Sequence, residues 1–199
     1  MPVVASRSLV TASLRVVGWI HLAVHTDSYL HEHDAWLEGL QDSSNDYAFM
    51  AVYFGLLSVG TNSSLWHLLT LLVQTGAYFL GDVWLADNGV EPVFEGEPIS
   101  QAWFQASLDS LYLSDFLRTP RLETLQTICI LTLCAHAFAQ STHLLALAHV
   151  GLYVGQALGL HRLAAEPVDS TPPPGLIKRE VGRSLWSALI VQEGCVPQL

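Results

Sequence analysis

Histidine is the residue type in this chain that most readily suggests chemistry. Four of the nine histidines lie close together near the start, interleaved with Glu32 and Asp34: His21, His25, His31 and His33. Imidazole and carboxylate groups at this density could hold zinc or another transition metal. However, the segment HEHDA lacks the HExxH spacing that places two histidines and a general base on one helical face. The favoured interpretation is a polar seam between the first two helices, with ordinary histidine–carboxylate hydrogen bonds.

Three further histidines, His136, His143 and His149, lie in the apolar second half of the chain. Each could act as an acid, a base or a ligand contact, but no nucleophile with an orienting partner stands near them in sequence. GxSxG, GxGxxG and P-loop motifs are also absent. We therefore interpret them as core or cavity-lining histidines, and the sequence nominates no catalytic residue and no cofactor.

The aromatic residues allow two interpretations. They could line an apolar cavity for a small molecule, or they could pack the core, which is the commoner use of such side chains and the favoured one here. The residues concerned are Trp66, Tyr78, Phe79, Trp84, Trp103, Phe104, Tyr112, Phe116 and Tyr153.

Three cysteines, Cys129, Cys134 and Cys195, lie in hydrophobic surroundings. The odd count and the apolar context predict buried, reduced thiols and an intracellular protein.

The charge distribution bears on nucleic-acid binding. The chain has a net charge of −10, and none of its eight basic residues falls between Val16 and Leu117. The one basic cluster along the sequence is Lys178–Arg179 with Arg183. Because DNA affinity depends on a broad Lys/Arg footprint that replaces counterions, we predict that this chain reaches DNA only indirectly.

Hydrophobic residues make up 51% of the chain, so a membrane protein is an alternative that must be considered. The candidate spans are 64–80 and 127–160. Polar residues interrupt every window of spanning length in the second segment, and no Lys or Arg closely flanks the first. Buried helices of an all-α core are therefore favoured, and no membrane association is predicted.

The elements that must position these residues are helices throughout. Apolar spacing and capping residues predict a single all-α domain over 1–199, built of stacked antiparallel helical hairpins in an irregular α-solenoid. Exposed loops are predicted at 86–98 and 165–175, and no strand is predicted. The predicted helices are 9–24, 27 or 28–40, 47–59, 63 or 64–80, 100–117, 122–139, 142–158 with Gly159 as the C-terminal glycine cap, and 176–193.

The last predicted helix has an apolar face that needs a cover: Leu185, Trp186, Leu189 and Ile190. Two alternatives remain open for this face. It folds back on the chain, or it forms an interface with a partner.

Several short signatures recur together in one protein family. In order, they are VGWIHLAVHTDSYLHEHDAWLEGL, YFGLLSVG, LETLQTICILTLC, GLYVGQALGLHR and REVGRSLW. This series resembles the regulatory domain, or middle homology domain, of fungal zinc-cluster transcription factors, and the resemblance covers about 16–192. The family's six-cysteine DNA-binding module is missing from the sequence. The chain is also shorter at its C-terminus than the family's domain, so a truncated gene product is one interpretation.

The resemblance implies a nuclear, stand-alone regulator of gene expression, typically of a secondary-metabolite cluster. It would act through a protein partner such as a full-length zinc-cluster factor, and it would respond to a small-molecule effector. Two alternatives remain. One is a small-molecule-binding protein or pathway enzyme on the same helical scaffold, and the other is a small helical membrane protein.

Overall fold

The computed structural model describes residues 3–20, 23–39, 46–61, 86–87, 89, 93–94, 97–135, 137–163 and 175–194, with side chains at 16–20, 93–94 and 97 left out. The fold is all-α, as predicted. The described elements are α1 (Val3–Ile20), α2 (Thr26–Leu37), α3 (Tyr47–Thr61), β1 (Val93–Phe94), β2 (Glu97–Pro98), α4 (Ile99–Leu113), α5 (Leu122–Thr132), α6 (Ser141–Ala157), a 3-10 turn (Leu160–Arg162) and α7 (Leu176–Gly194). The predicted helix at 63–80 and most of the predicted 165–175 loop lie outside the described residues.

The start of α2 differs from the prediction. Asp27 or Ser28 was expected to cap this helix, but the N-cap is His25, in extended conformation. Its Nδ1 accepts a hydrogen bond from the backbone N–H of Ser28 at 3.3 Å and also bonds the Ser28 hydroxyl at 2.9 Å. An imidazole nitrogen therefore accepts the capping hydrogen bond that a hydroxyl or carboxylate oxygen usually accepts at this position.

Helix α3 lies at the centre of the described core and packs against α1, α4 and α5. Every residue from Ala48 to Thr61 is buried except Met50 and Phe54, as expected of a helix that is apolar all round. Buried serines at its contact with α4 bond to backbone carbonyls: Ser107 Oγ donates to Ala51 O at 2.6 Å, and Ser58 Oγ donates to Ser100 O at 2.9 Å. These bonds satisfy polar atoms inside an apolar contact.

Several helices end earlier than predicted, among them α1, which ends at Ile20 rather than at Val24. Helix α4 was expected to reach Leu117 but ends at Leu113, and Asp115 then takes a left-handed φ of 52°. Helix α5 was expected to reach Ala139 but ends at Thr132, and Ala139 itself has a φ of 53°. Neither residue is glycine, so no sequence signal marks these turns. The glycine cap after α6 is confirmed, because Gly159 is left-handed at φ 75°.

The predicted 86–98 loop contains a minimal antiparallel ladder, in which Val93 pairs with Pro98 and Phe94 with Glu97. The prediction that the chain has no strand is therefore wrong, although each strand has only two residues. The all-α class is unaffected. The stacking of hairpins into a solenoid stays a prediction.

The last helix folds back on the chain, which is the first of the two alternatives for its apolar face. Leu185 and Leu189 of α7 are fully buried, and α7 packs against α5 and α6. Ile190, which was assigned to the same face, stays 46% exposed.

Within the part of the chain that the structure describes, no helix is both long and apolar enough to cross a bilayer. The candidate span at 127–160 is divided between α5 and α6. The candidate at 64–80 lies outside the described residues.

Candidate functional site

Among the described residues, the histidines weighed as metal ligands do not form one site. His21 lies outside the described residues, His25 caps α2, and His31 is exposed on that helix. His33 is fully buried. The described residues contain no group of three or more His, Cys, Asp or Glu side chains arranged to hold a metal ion. The predicted polar seam between α1 and α2 is present. Among the described histidines of this segment, His33 is the one that takes part in it.

His33 lies at the centre of a buried polar network that joins three helices. Its Nε2 is 3.1 Å from Ser6 Oγ on α1, and Ser6 Oγ shares a 2.8 Å hydrogen bond with the Tyr53 hydroxyl on α3. On its other side, His33 Nδ1 is 3.3 Å from Asp34 Oδ1. Asp34 in turn forms a salt bridge with Arg7 at 3.1 Å. Sequence reasoning missed Ser6 and Tyr53, because nothing local connects residues on separate helices.

A serine, a histidine and an aspartate linked in this order have the connectivity of a nucleophilic triad. Three features oppose that role for this network, which we name the Ser6–His33–Tyr53 network. Ser6 is only 1% exposed and its oxygen is already shared with Tyr53. Neither cavity described below is lined by any of its members. Its evident effect is to satisfy polar groups where α1, α2 and α3 meet.

Burial controls the protonation of this network. Desolvation lowers the pKa of His33 from its ordinary 6.5, against the opposing effect of Asp34, so the ring is neutral at neutral pH. Desolvation also raises the pKa of Tyr53 above its ordinary value. All the members except Asp34 and Arg7 are therefore uncharged.

The later histidines lie closer to the surface than predicted. His149 is exposed on α6, where its Nδ1 is 2.9 Å from Leu145 O, so the core assignment is wrong for this residue. His143 is half-buried and hydrogen-bonds the Tyr112 hydroxyl at 2.7 Å, with the two rings stacked. This pair links α6 to α4. His136 lies outside the described residues.

The aromatic residues divide between core and surface. Phe104 and Phe116 are buried, as predicted, whereas Tyr112 and Tyr153 are more than half exposed. Trp103 is half-buried. The other four aromatic candidates lie outside the described residues: Trp66, Tyr78, Phe79 and Trp84.

The two described cysteines, Cys129 and Cys134, are buried, as predicted. Desolvation raises the pKa of Cys129 to about 12, so its thiol stays protonated and unreactive.

The described residues form two neighbouring cavities, which together we name the α5–α7 cleft. The larger cavity, of about 450 Å³, lies where the starts of α5 and α7 meet the 3-10 turn. The smaller, of about 300 Å³, lies between α2, α5 and α7. They share three lining residues: Leu122, Glu123 and Lys178.

The two cavities differ in charge. Arg121, Lys178 and Arg179 line the larger one together with Glu123. His25, Glu32 and Glu123 line the smaller one, with Lys178 at the shared wall. Desolvation raises the pKa of Glu32 above its ordinary value, and the negative charge of Glu123 adds to this effect. One end of the cleft therefore favours anions, and the other favours neutral or positive groups.

One residue that lines the smaller cavity, Tyr29, has an unsatisfied hydroxyl. Tyr29 is 5% exposed, and its hydroxyl has no hydrogen-bond partner among the described residues. The ring stacks on Phe49 at a centroid distance of 5.4 Å, which fixes its position. Buried polar groups are normally paired, so this hydroxyl is an exception within the part of the chain that the structure describes.

The basic cluster of α7 was visible in the sequence. The position of Arg121 beside that cluster, in the same cavity, was not. Arg121 is the N-cap residue of α5 and lies far from Lys178 in sequence. The packing of α5 against α7 brings both residues to one cavity.

Comparison with protein-family models, with curated proteins and with solved structures finds no match to this chain.

Proposed function

We propose that this chain is a helical regulatory domain of the kind found in fungal zinc-cluster transcription factors. It acts in the nucleus on the expression of a metabolite gene cluster, through a protein partner that contacts DNA. The proposal begins from the ordered signatures of the sequence, and one feature of their packing carries it further.

Three of these signatures meet at a single close contact. LETLQT lies on α5, GLYVGQALGLHR on α6 and the 3-10 turn, and REVGRSLW on α7. A Cβ placed on Gly155 of the second signature would lie 3.0 Å from Trp186 Cε3 of the third and 3.7 Å from Leu125 Cδ1 of the first. The signatures therefore specify one mutual packing of three helices, which supports a shared structural module as the origin of the resemblance.

The charge of the chain supports action through a partner. A net charge of −10 repels the phosphates of DNA. A partner with its own DNA-binding module would supply the basic surface that this chain lacks.

Transcript profiling of a deletion strain tests the proposal, together with co-precipitation of the tagged full chain from nuclei. We expect altered transcripts of one gene cluster, restored by the complementing gene, and recovery of a zinc-cluster factor with the chain. Unchanged transcripts would refute the regulatory role, and so would tight, sequence-selective binding of duplex DNA by the isolated chain.

The α5–α7 cleft favours a second candidate function, which is binding of a small molecule on the same scaffold. Its volume and mixture of apolar and polar walls suit a small organic ligand. Loss of a specific metabolite on deletion, with cluster transcripts unchanged, is the result expected if this function stands alone.

A further inference from the structure

We infer that the larger cavity of the α5–α7 cleft binds a small organic anion, a carboxylate or phosphate ester that carries an apolar body. The inference rests on the second function proposed above, the binding of a small molecule. It does not depend on a role in transcription.

The first argument is the concentration of positive charge. The chain has eight basic residues against eighteen acidic ones, yet three of the eight line this cavity. Charges of one sign around a concave site with low-dielectric walls focus the local potential. In a protein this acidic, such a concentration provides the charge complementarity that an anion requires.

The second argument comes from the helix termini. Arg121 is the N-cap of α5 and makes no side-chain capping bond, and Lys178 and Arg179 stand in the first turn of α7. Helix N-termini carry partial positive charge, so basic residues there are electrostatically unfavourable. An anion in the cavity would interact favourably with the basic side chains and with both helix dipoles.

The third argument concerns the acids nearby. Arg121 forms a 3.2 Å salt bridge with Asp46 at the surface, where both side chains are partly exposed. A guanidinium carries five N–H donors, so one ion pair does not exhaust it. Glu123 is the one carboxylate among the described lining residues, against three basic side chains.

The remaining walls select an apolar body. They are leucines and a proline, contributed by the starts and ends of three elements: Pro120, Leu122, Leu158, Leu160 and Leu163. A cavity of about 450 Å³ suits a molecule with a ring or short chain beside its anionic group.

Calorimetric titration of the full chain tests the inference with four probes: phenyl phosphate, benzoate, inorganic phosphate and benzyl alcohol. We expect saturable binding of at least one aromatic anion, with weaker binding of inorganic phosphate and of the neutral alcohol. Phenyl phosphate alone would assign a phosphate ester, benzoate alone a carboxylate, and both the shared anionic chemistry.

Charge-removing variants locate the site. Lys178→Gln and Arg121→Gln should each weaken binding of the aromatic anion about tenfold, the effect of losing one charge-assisted hydrogen bond. Arg118→Gln is the matched control, because Arg118 is a highly exposed base outside the cavity and its loss changes net charge equally. Circular dichroism confirms the fold of each variant. Lys178→Gln leaves the Arg121–Asp46 ion pair intact, so it serves if Arg121→Gln fails to fold.

Three outcomes would overturn the inference: no binding of either aromatic anion, equal binding of benzyl alcohol, or equal weakening by Arg118→Gln. These outcomes leave the regulatory proposal untouched, because that proposal is tested by transcripts. Conversely, unchanged transcripts in a deletion strain would refute the regulatory role without affecting a measured anion site.

Discussion

Replacement of Ser6 by alanine is the sharpest test of what the Ser6–His33–Tyr53 network does. The Ser6 oxygen contacts both His33 Nε2 at 3.1 Å and the Tyr53 hydroxyl at 2.8 Å. His33 is fully buried and Tyr53 is 7% exposed, so water cannot readily replace the lost partner. Ser6→Ala therefore leaves two buried polar atoms without this hydrogen bond.

The expected loss follows from these contacts. A buried donor or acceptor left without a partner costs about 1–3 kcal/mol. With two such atoms, we expect Ser6→Ala to lower the free energy of unfolding by about 2–4 kcal/mol. Tyr53→Phe keeps the Ser6–His33 contact and should cost about 1 kcal/mol. In the double variant Ser6→Ala/Tyr53→Phe, the tyrosine hydroxyl is absent and cannot be left without a partner. The loss of stability in the double variant should therefore be smaller than the sum of the two single-variant losses.

Urea unfolding at neutral pH measures these differences. Thr11→Ala is the matched control on the same helix, since the Thr11 hydroxyl donates to Arg7 O at an exposed position. It should change stability by about 0.5 kcal/mol or less. A Ser6→Ala variant as stable as this control would refute the structural role. Loss of an ester-hydrolase activity in Ser6→Ala, with stability unchanged, would instead establish a catalytic one.

Three further predictions concern single buried positions. Because the folded pKa of His33 lies below its ordinary 6.5, the unfolded chain takes up protons first as pH falls. The free energy of unfolding should therefore fall as the pH drops below about 6.5, and it should fall less in His33→Gln. His31→Gln replaces an exposed histidine of the same helix and should keep the wild-type profile. Unfolding midpoints measured across pH give the comparison. Tyr29→Phe removes a hydroxyl that has no partner among the described residues, so the free energy of unfolding should stay unchanged or rise by up to about 1 kcal/mol. A clear loss of stability in urea unfolding would show that the hydroxyl has a partner. Gly60→Ala would bring a Cβ to 2.8 Å from the buried Leu9 Cδ1 and should cost about 1–3 kcal/mol in urea unfolding. Gly194→Ala, where a Cβ would meet no described atom within 4 Å, should be near neutral, and equal effects at the two glycines would contradict the packing argument.

The candidate site was only partly predictable from the sequence. The basic residues of α7 and the histidine-rich segment of α2 were visible as local patterns. Their partners were not, because packing between separate helices brings Arg121 to the cavity that Lys178 lines and brings Ser6 within 3.1 Å of His33. The histidine-rich segment does not form one cluster among the described residues, because His31 lies on the exposed face of α2 and His33 on its buried face.

The sequence by itself determined the helical class, the glycine at the end of α6 and the position of α7. Apolar periodicity and left-handed glycine are properties of a few consecutive residues, so they can be recognised locally. Only the structure showed that α4 and α5 end early at non-glycine turns, that His25 caps α2, and that the α5–α7 cleft exists. The cleft depends on packing between residues distant in the chain, which no local pattern records. The His25 cap is local, since it bonds Ser28, but histidine is not among the residues preferred at this position. The two early helix ends lie at residues that rarely take a left-handed conformation, so local preference did not predict them.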